Sequence, residues 1–273
     1  MMTINKKSKS TVVFLGGGRI TSALCAGLRL AGDRHAVVVY DRHPEKALVV
    51  QRESGVTTAR DLPSALAHAA MLILAVRPGS VTETLAEVAA CVAAPPDLCV
   101  SLAAGIPLAQ LRCALSKSRW VRAMPSPVCR IGRGLTALCF DRGVNLRERS
   151  QVRALFGLVG QVVEVREPQF DAFTITYSPS HGYHALAVLA ETGRRAGLDR
   201  KTAITAAAHA LCDAVSYWRE GGLDLEELLH EAATPGGTAA ATMTAMNDAG
   251  FERVMRQGVK AGIAQARRNS KDK

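Results

Sequence analysis

Val12-Val13-Phe14-Leu15-Gly16-Gly17-Gly18-Arg19-Ile20-Thr21-Ser22-Ala23-Leu24 sets a strand, a glycine turn and a helix in immediate succession near the start of the 273-residue chain. The apolar run reads as a strand covered on both faces, and the glycines as a turn too tight for side chains. That order is the opening of a dinucleotide-binding βαβ unit. Gly16 permits the turn and Gly18 lets the backbone approach a pyrophosphate. The helix start at Arg19 and Ile20 offers N–H groups and a positive dipole end to its charge. Thr21 stands at the third fingerprint position, where glycine or alanine is usual, so the helix must pack there with a larger side chain.

Residues 11 to about 165 alternate short apolar runs with helical patterns, which predicts an α/β architecture: an open, doubly wound, mostly parallel sheet. Strands are expected at Thr11–Leu15, Ala36–Tyr40, Met71–Val76, Leu98–Leu102, Trp120–Ala123, Leu135–Phe140 and Gln161–Val165. Helices are expected at Ile20–Ala31, Pro44–Ser54, Pro63–His68, Val81–Val92 and Arg149–Leu158. Asp41 ends the second strand 25 positions after Gly16, near the spacing of the acid that hydrogen-bonds an adenosine ribose, which favours NAD. Its other reading is a turn or cap residue before Pro44. Arg42, His43 and Lys46 follow at once, and a guanidinium on adenine or on a 2′-phosphate would favour NADP, so both cofactors stay open. Val76, Arg77 and Pro78 after one strand, and Ala104 and Gly105 after the next, fall at the carboxyl edge of the sheet. Small residues there leave room for nicotinamide.

Beyond Glu167-Pro168 the β pattern stops. Alanine and leucine recur at helical spacing through Leu186–Ala196, Arg200–Trp218, Leu223–Ala233, Ala239–Ala249 and Phe251–Arg267. Two domains are expected, a Rossmann dinucleotide-binding domain over 10–167 and an all-helical C-terminal domain over 168–269. Helices apolar on more than one face predict packing between chains, a homodimer or a higher homo-oligomer. One bare turn interrupts them, Thr234-Pro235-Gly236-Gly237-Thr238. Proline and glycine there aim backbone N–H groups and a helix N-terminus outward, a setting suited to a carboxylate.

Composition narrows the function classes. With 48% hydrophobic residues the chain can bury a sizeable core, and its apolar runs are shorter than the roughly 20 residues that span a bilayer, so no membrane partner is expected. Lys6, Lys7 and Lys9 before Val12–Leu15 have the outline of an export signal, but the apolar run is too short and ends in glycine. Seven scattered cysteines without a C-x-x-C pair read as reduced, mostly buried thiols of a cytoplasmic protein, with no metal site. The net charge of +10 is dispersed or terminal, the closing Arg267-Arg268-Asn269-Ser270-Lys271-Asp272-Lys273 reading as a frayed end. With 4% aromatic residues there are few platforms for stacking bases, so no nucleic acid is expected.

Assembled in order, Gly16–Thr21, Ala75–Pro78, Ser101–Ile106, Arg122-Ala123-Met124-Pro125-Ser126, Asp171 to Tyr183 and Thr234–Ala239 resemble the motifs of the pyrroline-5-carboxylate reductase family over nearly the whole chain. The resemblance implies a Rossmann domain, a helical dimerisation domain, and an active site at their junction with helices contributed by a partner chain. It implies that NADPH or NADH delivers a hydride to the imine carbon of a cyclic imino acid, most simply pyrroline-5-carboxylate, giving proline. Pro125 then belongs with the cofactor residues, and Gly236, Gly237, Thr238 and Ser180 with the substrate.

Three departures fall in these motifs. Ser126 replaces an asparagine, Tyr177-Ser178-Pro179-Ser180-His181-Gly182 replaces S-G-S-G-P-A, and Ala239 replaces a threonine whose hydroxyl in relatives meets the substrate nitrogen. Losing that contact would cost on the order of 1–3 kcal/mol unless another group supplies it. His181 is the candidate, as polar partner or proton donor to the imine, with Thr238 as the other catalytic candidate; the other reading of His181 is a histidine capping a helix or bonded to a carbonyl. Tyr177 is expected to fill space near the substrate and Tyr183 to pack in the core. Other readings are reduction of a related cyclic imine, a homologue that binds cofactor without catalysis, and a 3-hydroxyacid dehydrogenase. The last needs a lysine, and the second domain offers only Lys201 before its final helix.

Overall fold

The computed structural model describes residues 11–33, 35–91, 95–222 and 224–269. The N-terminal lysines, residue 10, the helix ends expected at Val92 and Leu223, and the tail from Ser270 lie outside the described residues. The strands are β1 (Thr11–Leu15), β2 (Ala36–Tyr40), β3 (Thr57–Thr58), β4 (Ala69–Leu74), β5 (Leu98–Ser101), β6 (Arg119–Pro125), β7 (Gly134–Phe140) and β8 (Gly160–Glu164). The helices are α1 (Arg19–Leu30), α2 (Pro44–Ser54), α3 (Leu62–Leu66), α4 (Val81–Cys91), α5 (Leu108–Ala114), α6 (Leu146–Gly157), α7 (Glu167–Thr176), α8 (Ser180–Arg195), α9 (Arg200–Gly221), α10 (Leu225–Ala232), α11 (Thr238–Asp248) and α12 (Phe251–Asn269).

The strands form one sheet in the order β3-β2-β1-β4-β5-β6-β7-β8, parallel except where β7 runs antiparallel to β6. The expected doubly wound architecture is therefore present, with β1 at the point where the strand order reverses. Alternate residues of β1 serve opposite cores. Val12 and Phe14 join Leu24, Val50, Val100 and Phe156 on one face, while Val13 and Leu15 join Leu72, Leu74, Leu85, Trp120 and Phe170 on the other. This two-sided burial is why the strand reads as unbroken apolar sequence.

Some sequence expectations change. β4 runs Ala69–Leu74 rather than Met71–Val76, and the Ala75 N–H still donates to Leu15 O of β1 just past its end. Helices α5 and α7 and strand β3 were not legible as elements; α5 and β3 are too short to establish a period. Arg267-Arg268-Asn269 are helical rather than frayed. The buried Ala266 of that last turn sits so close to Gly105 that a Cβ there would lie 2.0 Å from Ala266 O.

Contacts divide the chain into two units, one running through Thr176 and resuming at Ala261, the other Tyr177–Lys260. The first holds the sheet and both cores. In the second, α8 and α9 pack together around Ala190, Ala203 and Ala207, whereas α10 and α11 bury no residue. Tyr183, expected in a core, is 67% exposed, because no element of the described chain covers its face of α8.

Candidate functional site

The turn after β1 is built around a backbone that only glycine accepts. Gly16 has φ +108°, and a Cβ there would come within 2.6 Å of Ala75 O. Its N–H donates to Tyr40 O at 2.7 Å, locking the end of β1 to β2. At Gly17 a Cβ would meet the backbone of Lys46 and Ala47, so this glycine lets α2 approach. At Gly18 a Cβ would meet nothing within 4 Å, and no side chain caps α1, whose N-cap is Gly18. The first N–H groups of α1 thus face open space. Thr21, fully buried, donates its hydroxyl to Gly16 O at 2.6 Å. The larger residue at the third fingerprint position is accommodated because its hydroxyl braces the very turn it follows.

A cavity of about 590 Å³ opens over this turn. Of the residues expected to hold a cofactor, Gly16, Gly18, Arg19, Ile20, Asp41, Arg42, Val76 and Arg77 all line it; Tyr40, His43, Lys46, Ser80, Thr84 and Glu87 do so as well. Ser80, Thr84 and Glu87 escaped the sequence reading, although the polar side of the segment after Pro78 carried the signal. Pro78 starts the short 3-10 turn Pro78–Ser80 that leads into α4. Ala104, Gly105 and Pro125 do not line this cavity; Gly105 has φ +80° and faces α12, and Pro125 closes β6.

Asp41 has both oxygens engaged. Oδ2 accepts from Gly17 N–H at 2.8 Å and Oδ1 from His43 N–H at 2.9 Å, so the carboxylate fixes the glycine turn and the turn into α2 together. Each oxygen keeps a second lone pair for a ligand hydroxyl. Arg42 reaches across to α4, where its Nη1 donates to Glu83 Oε2 at 2.5 Å and its Nη2 to Ser80 Oγ at 3.5 Å. The Glu83 hydrogen bond holds the guanidinium's pKa above its ordinary value.

A second polar cluster joins two of the motifs quoted above without having been assigned a role. Arg122, 3% exposed, donates to Glu167 Oε1 at 3.1 Å and to Asp171 Oδ1 at 2.8 Å, and stacks 4.3 Å above the Phe170 ring. Glu167 also accepts from Leu108 N–H and from the Cys139 thiol. Burial, helped by Glu167, pushes Cys139 up to about 12. The cluster ties α5, β6, β7 and α7 into one block. Ser126, replacing the asparagine, accepts from Val128 N–H at 3.2 Å and caps the following 3-10 turn.

In the second unit, Gly237 N–H donates to Thr234 O at 2.9 Å and Gly236 has φ +75°, with Pro235 before it. This is a type II turn with proline and glycine in their favoured places. Gly237 is the N-cap of α11, and no side chain caps that helix. Thr238 is exposed at its start. Ser180 begins α8, its Oγ 2.7 Å from Ser178 Oγ; the N–H of the half-buried His181 donates to Ser178 O at 3.2 Å. Lys201 is exposed on the first turn of α9, where its N–H is taken by Asp199. Among the described residues, no three His, Cys, Asp or Glu side chains are grouped to hold a metal ion, and no helix is long and apolar enough to cross a membrane.

Two family models match separate stretches of the chain. A family model described as pyrroline-5-carboxylate reductase dimerisation matches residues 167–269, and one described as NADP oxidoreductase, coenzyme F420-dependent, matches 11–105. A pyrroline-5-carboxylate reductase of Mycobacterium tuberculosis is 31% identical, the match covering 95% of each chain. The solved structure of a Plasmodium falciparum pyrroline carboxylate reductase with NADP bound superposes with a TM-score of 0.85 at 19% identity, covering 96% of this chain and 98% of that one. A Coxiella burnetii pyrroline-5-carboxylate reductase gives 0.84 at 24% identity, covering 96% and 99%.

Proposed function

Since the chain belongs to the pyrroline-5-carboxylate reductase family, we propose that it reduces pyrroline-5-carboxylate to proline with NADPH or NADH. The observation that carries this reading is the uncapped start of α1, facing open space above a glycine turn at the switch point of the sheet. That cradle fits a dinucleotide: a side chain at Gly18 would occupy the space a pyrophosphate needs. Gly16, Gly18, Arg19 and Ile20 would hold the phosphates, and Asp41 and Arg42 the adenosine end. Val76, Arg77, Pro78, Ala104, Gly105 and Pro125 would bound the nicotinamide end. The reduced dinucleotide, when bound, supplies a hydride to the imine carbon.

The chain's own contribution is to bind and orient the imino acid and to manage one proton. The N–H groups of Gly236, Gly237 and Thr238 take the substrate carboxylate, with Ser180 as a further polar contact. As the imine carbon receives the hydride, its nitrogen needs a proton or a hydrogen-bond donor. Ala239 has no hydroxyl to give, so Thr238 and His181 are assigned that role. An iminium carbon is already electrophilic, so positioning supplies much of the rate.

The exposed apolar faces of α10 and α11 support a homodimer as the working form, consistent with the dimerisation family their residues match. We assign the protein to the cytoplasm on its scattered, unpaired cysteines, of which Cys25, Cys99, Cys129 and Cys139 are buried; burial pushes the Cys25 and Cys99 thiols up to about 12. The test is oxidation of NADH and NADPH with pyrroline-5-carboxylate, pyrroline-2-carboxylate and piperideine-2-carboxylate. Turnover should be highest with pyrroline-5-carboxylate, and dinucleotide binding without oxidation by any imine would overturn the reading. His181→Phe should lower turnover while leaving dinucleotide binding intact; an unchanged rate would remove His181 from the proton path.

A further inference from the structure

The adenosine end of the cavity carries one arrangement that the reductase reading does not require. The guanidinium best placed for a 2′-phosphate, Arg42 just past β2, lines the cavity but is drawn to its α4 side, where Glu83 takes Nη1 at 2.5 Å and Ser80 Oγ lies 3.5 Å from Nη2. The acid beside it, Asp41, is fixed by two backbone N–H groups. A ribose diol can donate to the lone pairs Asp41 retains, whereas a 2′-phosphate brings up to two negative charges against that carboxylate. To offset this, the phosphate would need the bidentate fork of Arg42, one arm of which, Nη1, is already taken by Glu83. Lys46 also lines the cavity, but an ammonium on a flexible stem attracts any phosphate as a point charge and distinguishes the 2′ group poorly.

We propose that Glu83, acting through Arg42, is a specificity-determining residue that together with Asp41 makes this protein select NADH over NADPH. Glu83 is a positioning residue here: it touches Arg42, not the dinucleotide. The pair joins the turn after β2 to α4, its side chains 45% and 61% exposed, so either can be changed without opening a core. The inference rests on the dinucleotide-binding part of the proposed function and is independent of which imine is reduced.

The experiment is equilibrium binding of NADH and NADPH, followed by nicotinamide fluorescence and calorimetry without any imine, in the wild type, Glu83→Gln, Arg42→Ala and the double variant. The wild type is expected to bind NADH at least about tenfold tighter, a difference of about 1.4 kcal/mol. Glu83→Gln should narrow that ratio about fivefold, chiefly by tightening NADPH, because the freed guanidinium can fork onto the 2′-phosphate. Adding Arg42→Ala should abolish the gain, which a merely structural role for Glu83 would not predict. A wild type that binds NADPH as tightly as NADH overturns the proposal, as does a Glu83→Gln variant that changes both affinities equally. If neither dinucleotide binds, the proposal falls together with the cofactor reading. If binding is selective but no imine is reduced, the selectivity stands and only the reductase reading fails.

Discussion

In the first unit, Phe14, Leu72, Ile73, Trp120 and Phe170 are fully covered and two cores sandwich one sheet, whereas in the second, α10 and α11 bury nothing and Tyr217, Trp218, Leu225 and Leu229 lie exposed. One stretch of chain completes its own interior and the other presents apolar helices that a second copy would cover. The difference teaches where stability and assembly reside: the sheet should fold as a property of the single chain, and the helical unit as a property of the protomer concentration.

That contrast can be broken at its strongest point first. Trp120 is fully buried and donates its indole N–H to Leu115 O at 3.3 Å. Trp120→Ala should destabilise the first unit by about 3–5 kcal/mol, measured by urea unfolding, at every protein concentration. A loss that varied with concentration would mean the sheet also depends on a partner. Next, Leu225→Asp combined with Leu229→Asp should weaken self-association at least about a hundredfold in sedimentation experiments, since each leucine is worth about 1.5–3 kcal/mol when buried. The control is Leu146→Asp in the first unit, at a residue 83% exposed, which should leave association unaltered. Should all three proteins sediment alike, α10 is not an interface.

How far these regions could be read from sequence differs for physical reasons. Strands such as Thr11–Leu15 and Ala36–Tyr40 were legible to the residue, because cover on both faces, nearly complete in the first and partial in the second, leaves a continuous apolar run. The glycine turn was legible because a positive φ at Gly16, with Ala75 O where a Cβ would lie, demands glycine directly after the apolar run. What escaped were contacts between distant segments. Nothing in the sequence pairs Arg122 with Glu167 and Asp171, or turns Arg42 toward Glu83, because side-chain partners follow from packing and leave no period. Exposure in the helical unit was likewise hidden, since a helix apolar on several faces reads the same whether its cover comes from its own chain or from another.

Smaller effects sharpen the picture. Thr21→Val keeps the shape but leaves Gly16 O without its hydroxyl donor, and should cost about 1 kcal/mol in thermal or chemical unfolding. No cost would mean the third fingerprint position tolerates any small side chain. The least effect is expected at Glu191 on α8, where hydrogen bonds from Arg194 and Arg195 lower the carboxyl pKa from 4.5 to about 2. A lowered folded-state pKa stabilises above the unfolded value and is lost on acidification, so this contribution is complete above about 4.5 and fades toward 2. Glu191→Gln should flatten the acid limb of helix content by circular dichroism, only slightly because the group is exposed.

The most direct test of the account follows the hydride itself. NADH or NADPH with both hydrogens at nicotinamide C4 replaced by deuterium is incubated with the protein and pyrroline-5-carboxylate, and the proline formed is examined by mass spectrometry and NMR. One deuterium is expected on the former imine carbon, with proline produced mole for mole with oxidised dinucleotide. Unlabelled proline, or dinucleotide bound and never oxidised, would contradict it.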